Sequence, residues 1–145
     1  MSTRSEEAAR LFEAGHNCAQ SVLCACVDEA TLSREAALGV AAAFGGGMCR
    51  TAETCGAVTG ALMVIGCRGS SKIVEDPSYR KVVYAEGLEF MQRFKSTHGS
   101  TDCRDLLGCD IGTPEGAKYA QEHDLTKVLC PRFVVDAVEI LGESE

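Results

Sequence analysis

Cysteine carries the chemistry in this chain. Nine of its 145 residues are cysteine, and the odd number means that they cannot all pair within one molecule. A reducing compartment argues against a static disulfide framework, which leaves metal ligation, redox exchange or simple burial. Four of the nine share a setting. Cys18 follows Asn17, and Asn17 with Gln20 forms a variant of the capping box. Cys55 follows Thr54, a good cap residue. Cys103 follows Ser100-Thr101-Asp102, and Cys130 precedes Pro131, which suits a first helical position. Each therefore falls at or in the first turn of an expected helix. A helix start carries about half a positive charge and free amides, which favour thiolate. If the four starts converge, they make a pocket for an anionic, sulfur-rich object such as a four-thiolate metal centre or a reactive dithiol.

The element that must hold them together is the run Thr54–Gly66. It holds no charge and is apolar or small on every side, so a helix there belongs at the centre of the domain. Gly56 with Gly60, and Ala57 with Ala61, make a ridge of small residues that admits a close neighbour. Gly56 also leaves the amide beside the Cys55 sulfur unshielded, and Gly66 can end the helix.

The other helices are read from caps and periodicity. Ser5–Ala14 is amphipathic, with Ala8, Leu11 and Phe12 inward and Gly15 as its stop. The Cys18 helix runs on through Val22, Leu23, Cys26 and Val27. Ser33 caps Arg34–Phe44, and Gly45-Gly46-Gly47 breaks it. Cys67–Glu75 reads as a polar surface loop. Asp76-Pro77 starts a long helix to about Lys95, with a buried stripe of Tyr79, Val82, Val83, Phe90, Met91 and Phe94. Thr97–Thr101 is a polar break. Short helices follow at Asp102–Leu107 and after Thr113, and the last begins at Cys130-Pro131. Its inner face is Phe133, Val134, Ala137, Val138 and Leu141. Alternating strand patterns are scarce. The expectation is one all-α domain over residues 1–145, a compact bundle of about six to eight helices around Thr54–Gly66.

The remaining cysteines read differently. Cys24 and Cys26 point about 200° apart on one helix and cannot share a metal. Cys67 and Cys109 follow helix-ending glycines, at the negative end, where thiolate is disfavoured. These four are assigned to packing. Cys49, in the glycine loop, is able to swing towards Cys55. Among the histidines, His16 precedes Cys18 and is a candidate ligand or proton partner. His98 and His123 are read as solvated. No C-x-x-C, ferredoxin or haem motif is present, and Gly45-Gly46-Gly47 lacks the lysine and hydroxyl of a phosphate loop. No Ser/His/Asp set or paired acidic motif marks an enzyme.

Net charge is −7 and the pI is about 5.0, without a basic patch, which argues against nucleic acid and anionic membranes as partners. The longest uncharged run, Ala36–Cys49, is glycine-broken and shorter than the roughly 20 apolar residues of a span. The start, Met1 to Glu7, has no apolar core such as a signal peptide needs, and a cytoplasmic location is expected. Homo-oligomerisation is left open.

Taken together, Gly15-His16-Asn17-Cys18-Ala19-Gln20, Cys55-Gly56-Ala57-Val58-Thr59-Gly60-Ala61, Cys103-Arg104-Asp105-Leu106-Leu107-Gly108 and Cys130 with Phe133-Val134 resemble the C_GCAxxG_C_C family of redox-active proteins. The resemblance extends over nearly the whole chain. It implies signature cysteines at Cys18, Cys55, Cys103 and Cys130. Similar domains attached to haem domains in split-Soret-type cytochromes imply an iron–sulfur centre as cofactor. The first reading is accordingly a redox or electron-transfer protein with an unknown redox partner, its four cysteines holding an iron–sulfur cluster and Gly56 beside it. The second is a thiol–disulfide protein without metal, using Cys55 with Cys18 or Cys103. The third is a structural zinc module, and the fourth a plain bundle with buried thiols.

Overall fold

The computed structural model describes residues 1–143. Its helices in chain order are α1 (Thr3–Glu13), α2 (Cys18–Cys26), α3 (Arg34–Ala41), α4 (Gly56–Arg68), α5 (Ser70–Glu75), α6 (Arg80–His98), α7 (Cys103–Leu107), α8 (Pro114–Glu122) and α9 (Leu125–Glu143). Two 3-10 turns, Ala42–Phe44 and Pro77–Tyr79, extend α3 and precede α6. No strand occurs among the described residues, and the fold is all-α as expected. No helix among them is long and apolar enough to cross a membrane.

Two helices share the centre. α4 packs against α2, α6 and α9, while α2 packs against α1, α3, α4 and α9. In α4, Ala57, Val58, Ala61 and Val64 are fully buried, and no residue is exposed before Arg68. The small-residue ridge has the expected use. A Cβ on Gly60 would lie 2.8 Å from the Ala19 carbonyl oxygen and 3.0 Å from its Cα. A Cβ on Gly56 would lie 3.0 Å from the Ala19 nitrogen and 3.1 Å from Cys18 Cβ. Only glycine lets α2 and α4 meet there.

Several expected boundaries move. Thr54 does not cap α4: it is drawn into a backbone bridge with Asp102, and Cys55 becomes the N-cap residue. Gly66 does not end α4, which continues to Arg68, whose guanidinium reaches the Leu141 carbonyl at 3.2 Å. Cys67 therefore lies in the last turn of a helix, and most of the expected loop after it is α5. α6 runs on to His98, ending at Gly99 with φ 87°, and Val82 on its flank is exposed, so its inner stripe is narrower than expected. The largest change is at the C-terminal helix. α9 begins at Leu125, after Asp124 at φ 50°, and runs through Pro131. Cys130 is thus inside a helix, and only its inner face of Phe133, Val134, Ala137, Val138 and Leu141 is as expected.

Two glycines of α4 make opposite predictions. Gly60→Ala drives a Cβ into the Ala19 backbone and should destabilise the fold by about 1–3 kcal/mol. At Gly66, in the same helix, an added Cβ would have nothing within 4 Å. Gly66→Ala should therefore stabilise by about 0.5–1 kcal/mol. Urea unfolding of both variants checks the pair.

Candidate functional site

Backbone pairing brings the second and third cysteines together. The Cys55 amide donates to the Thr101 carbonyl at 2.8 Å, and the Cys103 amide to the Glu53 carbonyl at 2.7 Å. The Arg104 amide adds a bond to the Ala52 carbonyl at 3.2 Å. This crossing sets the starts of α4 and α7 side by side. Cys18 joins them because it is the first residue of α2, held by a complete Asn17–Gln20 capping box. Gly56 packs directly on its Cβ. Cys130 arrives from the second turn of α9. The four cysteines line one cavity of about 870 Å³. All four are buried, each at 5–9% exposure, and all nine cysteines are free thiols.

The expectation of four helix starts is corrected to three. Cys18, Cys55 and Cys103 occupy such positions, whereas Cys130 does not. Pro131 has no N–H, so it removes the intrahelical bond to the Lys127 carbonyl instead of opening the helix.

The expectation that helix starts favour thiolate is also corrected. The Ala57 and Val58 amides act on the Cys55 sulfur and pull its pKa down, though no side-chain cap bond forms. Burial outweighs them and pushes it up to about 11. At Cys103, burial and the neighbouring sulfurs raise the pKa to about 12, against the opposing pull of Arg50. Cys18 and Cys130 act on each other, which raises Cys18 and lowers Cys130. Without a cation among them, Cys55 and Cys103 stay protonated at neutral pH.

A strained loop walls one side. Gly46, Gly47, Met48, Cys49 and Arg50 all have φ between 53° and 71°, and Ala52 has φ 61°. Each non-glycine residue in that region costs about 1–2 kcal/mol. Backbone bonds hold the turn: the Arg50 amide to the Gly45 carbonyl, Ala52 to Gly46 and Glu53 to Gly47. At Gly47 a Cβ would come within 2.8 Å of Cys103 Cβ, so this glycine has two reasons to be there, its φ of 71° and the close sulfur-bearing neighbour. The loop is legible in the sequence as a helix breaker, but its left-handed path and its place against Cys103 are not. Nor is Arg50, which has no sequence signal beyond following Cys49.

The other candidates are placed as follows. His16 is half-buried and lines the cavity. Cys49 is exposed and does not line it. Cys109 is half-buried, close enough to Cys103 to raise its pKa, but outside the lining. Cys26 and Cys67 line a separate hollow of about 280 Å³. His123 is exposed, its Nδ1 2.9 Å from the Tyr119 carbonyl. His98 is not solvated: its side chain is 7% exposed, with Nε2 2.9 Å from Asp136 Oδ2, and its ring lies against Phe94 and Phe133. It is the last residue of α6 instead of part of a break, so the core covers it. Among the described residues, no three His, Cys, Asp or Glu side chains are grouped as one metal ion needs.

A family model described as "Putative redox-active protein (C_GCAxxG_C_C)" matches residues 16–144, which include all four cavity cysteines. The chain belongs to the C_GCAxxG_C_C family. No curated protein and no solved structure matches it. The family match covers the helices that carry the four cavity cysteines, from Cys18 at the start of α2 to Cys130 in α9.

The raised thiol pKa values fix a pH dependence. Folding favours the protonated thiol of Cys55 and Cys103, so their contribution is complete below the ordinary value of 9.0 and is lost as pH rises through about 11 and about 12. For Cys55 the shift corresponds to about 2–3 kcal/mol. Metal-free protein should therefore lose stability from pH 9 upward, and Cys55→Ser should lose less over the same interval. Chemical denaturation at pH 8, 9 and 10.5 measures the difference.

Proposed function

We propose that the protein transfers electrons and that Cys18, Cys55, Cys103 and Cys130 hold an iron–sulfur cluster. One observation carries this reading: four buried free thiols from four separate helices line a single cavity. Four thiolates are the usual ligand set of such clusters. The surroundings fit the group. Gly47 and Gly56 keep side chains away from Cys103 and Cys18, and the Ala57 and Val58 amides act on the Cys55 sulfur. When bound, the cluster supplies one-electron oxidation and reduction. The chain's own part is to orient the four sulfurs, to exclude water with Leu107, Ile111 and Phe133, and to set Arg50 beside Cys103 as a counter-charge.

A single zinc ion has less support. Zn–S bonds of about 2.3 Å require sulfurs about 3.8 Å apart. The described residues offer no such group of three. Thiol–disulfide exchange has one feature in its favour, the thiols of Cys18 and Cys130, which stand close enough to act on each other. That is a different pair from Cys55 with Cys18 or Cys103, the one that helix positions alone suggest.

Anaerobically purified protein should be brown, with iron and acid-labile sulfide in equal amounts and visible absorbance bleached by dithionite. Cys55→Ser should lose most of the iron, and Cys24→Ser should keep it. Protein that stays colourless after reconstitution with iron and sulfide, and that loses two free thiols on mild oxidation, would replace the cluster with the dithiol.

A further inference from the structure

The cavity is larger than four sulfurs and the centre they would hold require. Its volume of about 870 Å³ lies in the upper part of the range for small-molecule sites. Beyond the cysteines its wall is largely apolar, with Phe12, Leu106, Leu107, Ile111 and Phe133. A second hollow of about 350 Å³ adjoins it, and Arg50, Ile111, Thr126 and Lys127 line both. Two cations therefore stand at the partition between the hollows.

Neither cation has an acidic partner. In a chain with net charge −7, several exposed basic side chains pair with carboxylates. Arg10 and Arg34 pair with Glu7, Arg104 with Asp110, Arg132 with Asp136 and Lys118 with Glu122. Arg50 and Lys127 form no ion pair among the described residues. Glu13 is the carboxylate on the main cavity wall and Asp124 the one in the smaller hollow, and neither lies within ion-pair distance of these cations. Arg50 is also held on the left-handed turn, at φ 58°, a conformation that favours glycine. Strain of this kind persists where surrounding contacts fix it, and it clusters at binding sites. Arg50, the arginine of this loop, lines the thiol cavity.

We infer that the cavity mouth is a binding site for a small organic anion, with Arg50 and Lys127 holding its acidic group and the wall of Phe12, Leu106, Ile111 and Phe133 taking its apolar body. The charge supplies recognition of a carboxylate or sulfonate, and the guanidinium offers a two-point hydrogen bond to it. The apolar wall supplies affinity. The bound molecule would lie against the four cysteines. This deepens the electron-transfer reading by naming the class of molecule that the centre serves, and it depends on that reading only for treating the anion as a substrate.

The probe is 8-anilinonaphthalene-1-sulfonate, an apolar body with one anionic group. N-phenyl-1-naphthylamine, the same body without the sulfonate, is the neutral control. Folded protein should bind the sulfonate saturably at one site, and more tightly than the neutral amine. Arg50→Gln combined with Lys127→Gln should weaken the sulfonate at least 10-fold and leave the amine within 2-fold. Arg50→Lys with native Lys127 should keep affinity within about 3-fold. Arg104→Gln, which removes one positive charge outside the cavity, should change nothing. Equal binding of the two probes, unchanged sulfonate affinity in the double variant, or no binding at all overturns the anion site. Titrations are run on iron-containing and on metal-free protein with iron content measured in each. Loss of the cluster reading then shows as absent iron, and loss of the anion site as absent charge dependence.

Discussion

The site depends on how closely two helices approach. α2 and α4 meet at Ala19 against Gly60 and at Cys18 against Gly56, with no room for a Cβ on either glycine. That contact fixes where Cys18 lies relative to Cys55, since each is tied to the start of its own helix. The backbone crossing of Glu53 and Cys55 with Thr101 and Cys103 then adds the third thiol. Two short-range devices, a glycine ridge and a pair of amide bonds, therefore assemble three sulfurs from distant parts of the sequence. Neither device involves the sulfurs themselves, so the cage is part of the fold and does not need a ligand to define its position.

Electrostatics limits what such a cage can do alone. A helix start is worth about 0.3–1 kcal/mol to a nearby anion, less than one pKa unit. Burial of Cys55 moves it two units the other way, to about 11, even with the Ala57 and Val58 amides acting on it. Each further thiolate would also feel the others, as Cys103 feels Cys55 and Cys130. Four buried thiolates require positive charge among them. The protein on its own offers Arg50 at one wall. Cys55 and Cys103 therefore stay neutral unless a cationic centre is present or they join other thiols in disulfides.

Much of this is legible in the residues. The uncharged Thr54–Gly66 run announces a buried central helix, because no arrangement gives it a solvent face. Asn17 and Gln20 announce the cap in front of Cys18, because capping is local chemistry. Cys18, Cys55 and Cys103 stand out by their sequence neighbours, whereas Pro131 marks Cys130 by a helix start that the structure does not have. What the residues do not announce is non-local. Thr54 is a good cap by type, but its backbone is taken by Asp102, a residue 48 positions away. Pro131 suits a first helical position, yet packing of the buried residues after it, and the turn at Asp124 before it, draw it into α9. The left-handed path of Met48, Cys49 and Arg50 runs against the preference of each residue and is set by bonds back to residues 43–45.

The proline also sets the fourth cysteine apart from the other three. Beyond Pro131, α9 is anchored by Phe133, Val134, Ala137, Val138, Ile140 and Leu141, all buried. Before Cys130, Leu125 and Leu129 are only half-buried, and Thr126, Lys127 and Val128 are exposed. The missing N–H of Pro131 further weakens the backbone link between these two parts. Cys130 thus stands where the anchored part of α9 begins, while Cys18, Cys55 and Cys103 stand on the rigid crossing of α2, α4 and α7. Three of the sulfurs are placed by helix starts and Cys130 completes the lining from within α9. The first turns of α9 also carry Lys127 to the cavity, so one segment supplies both a cavity thiol and one of the two cavity cations.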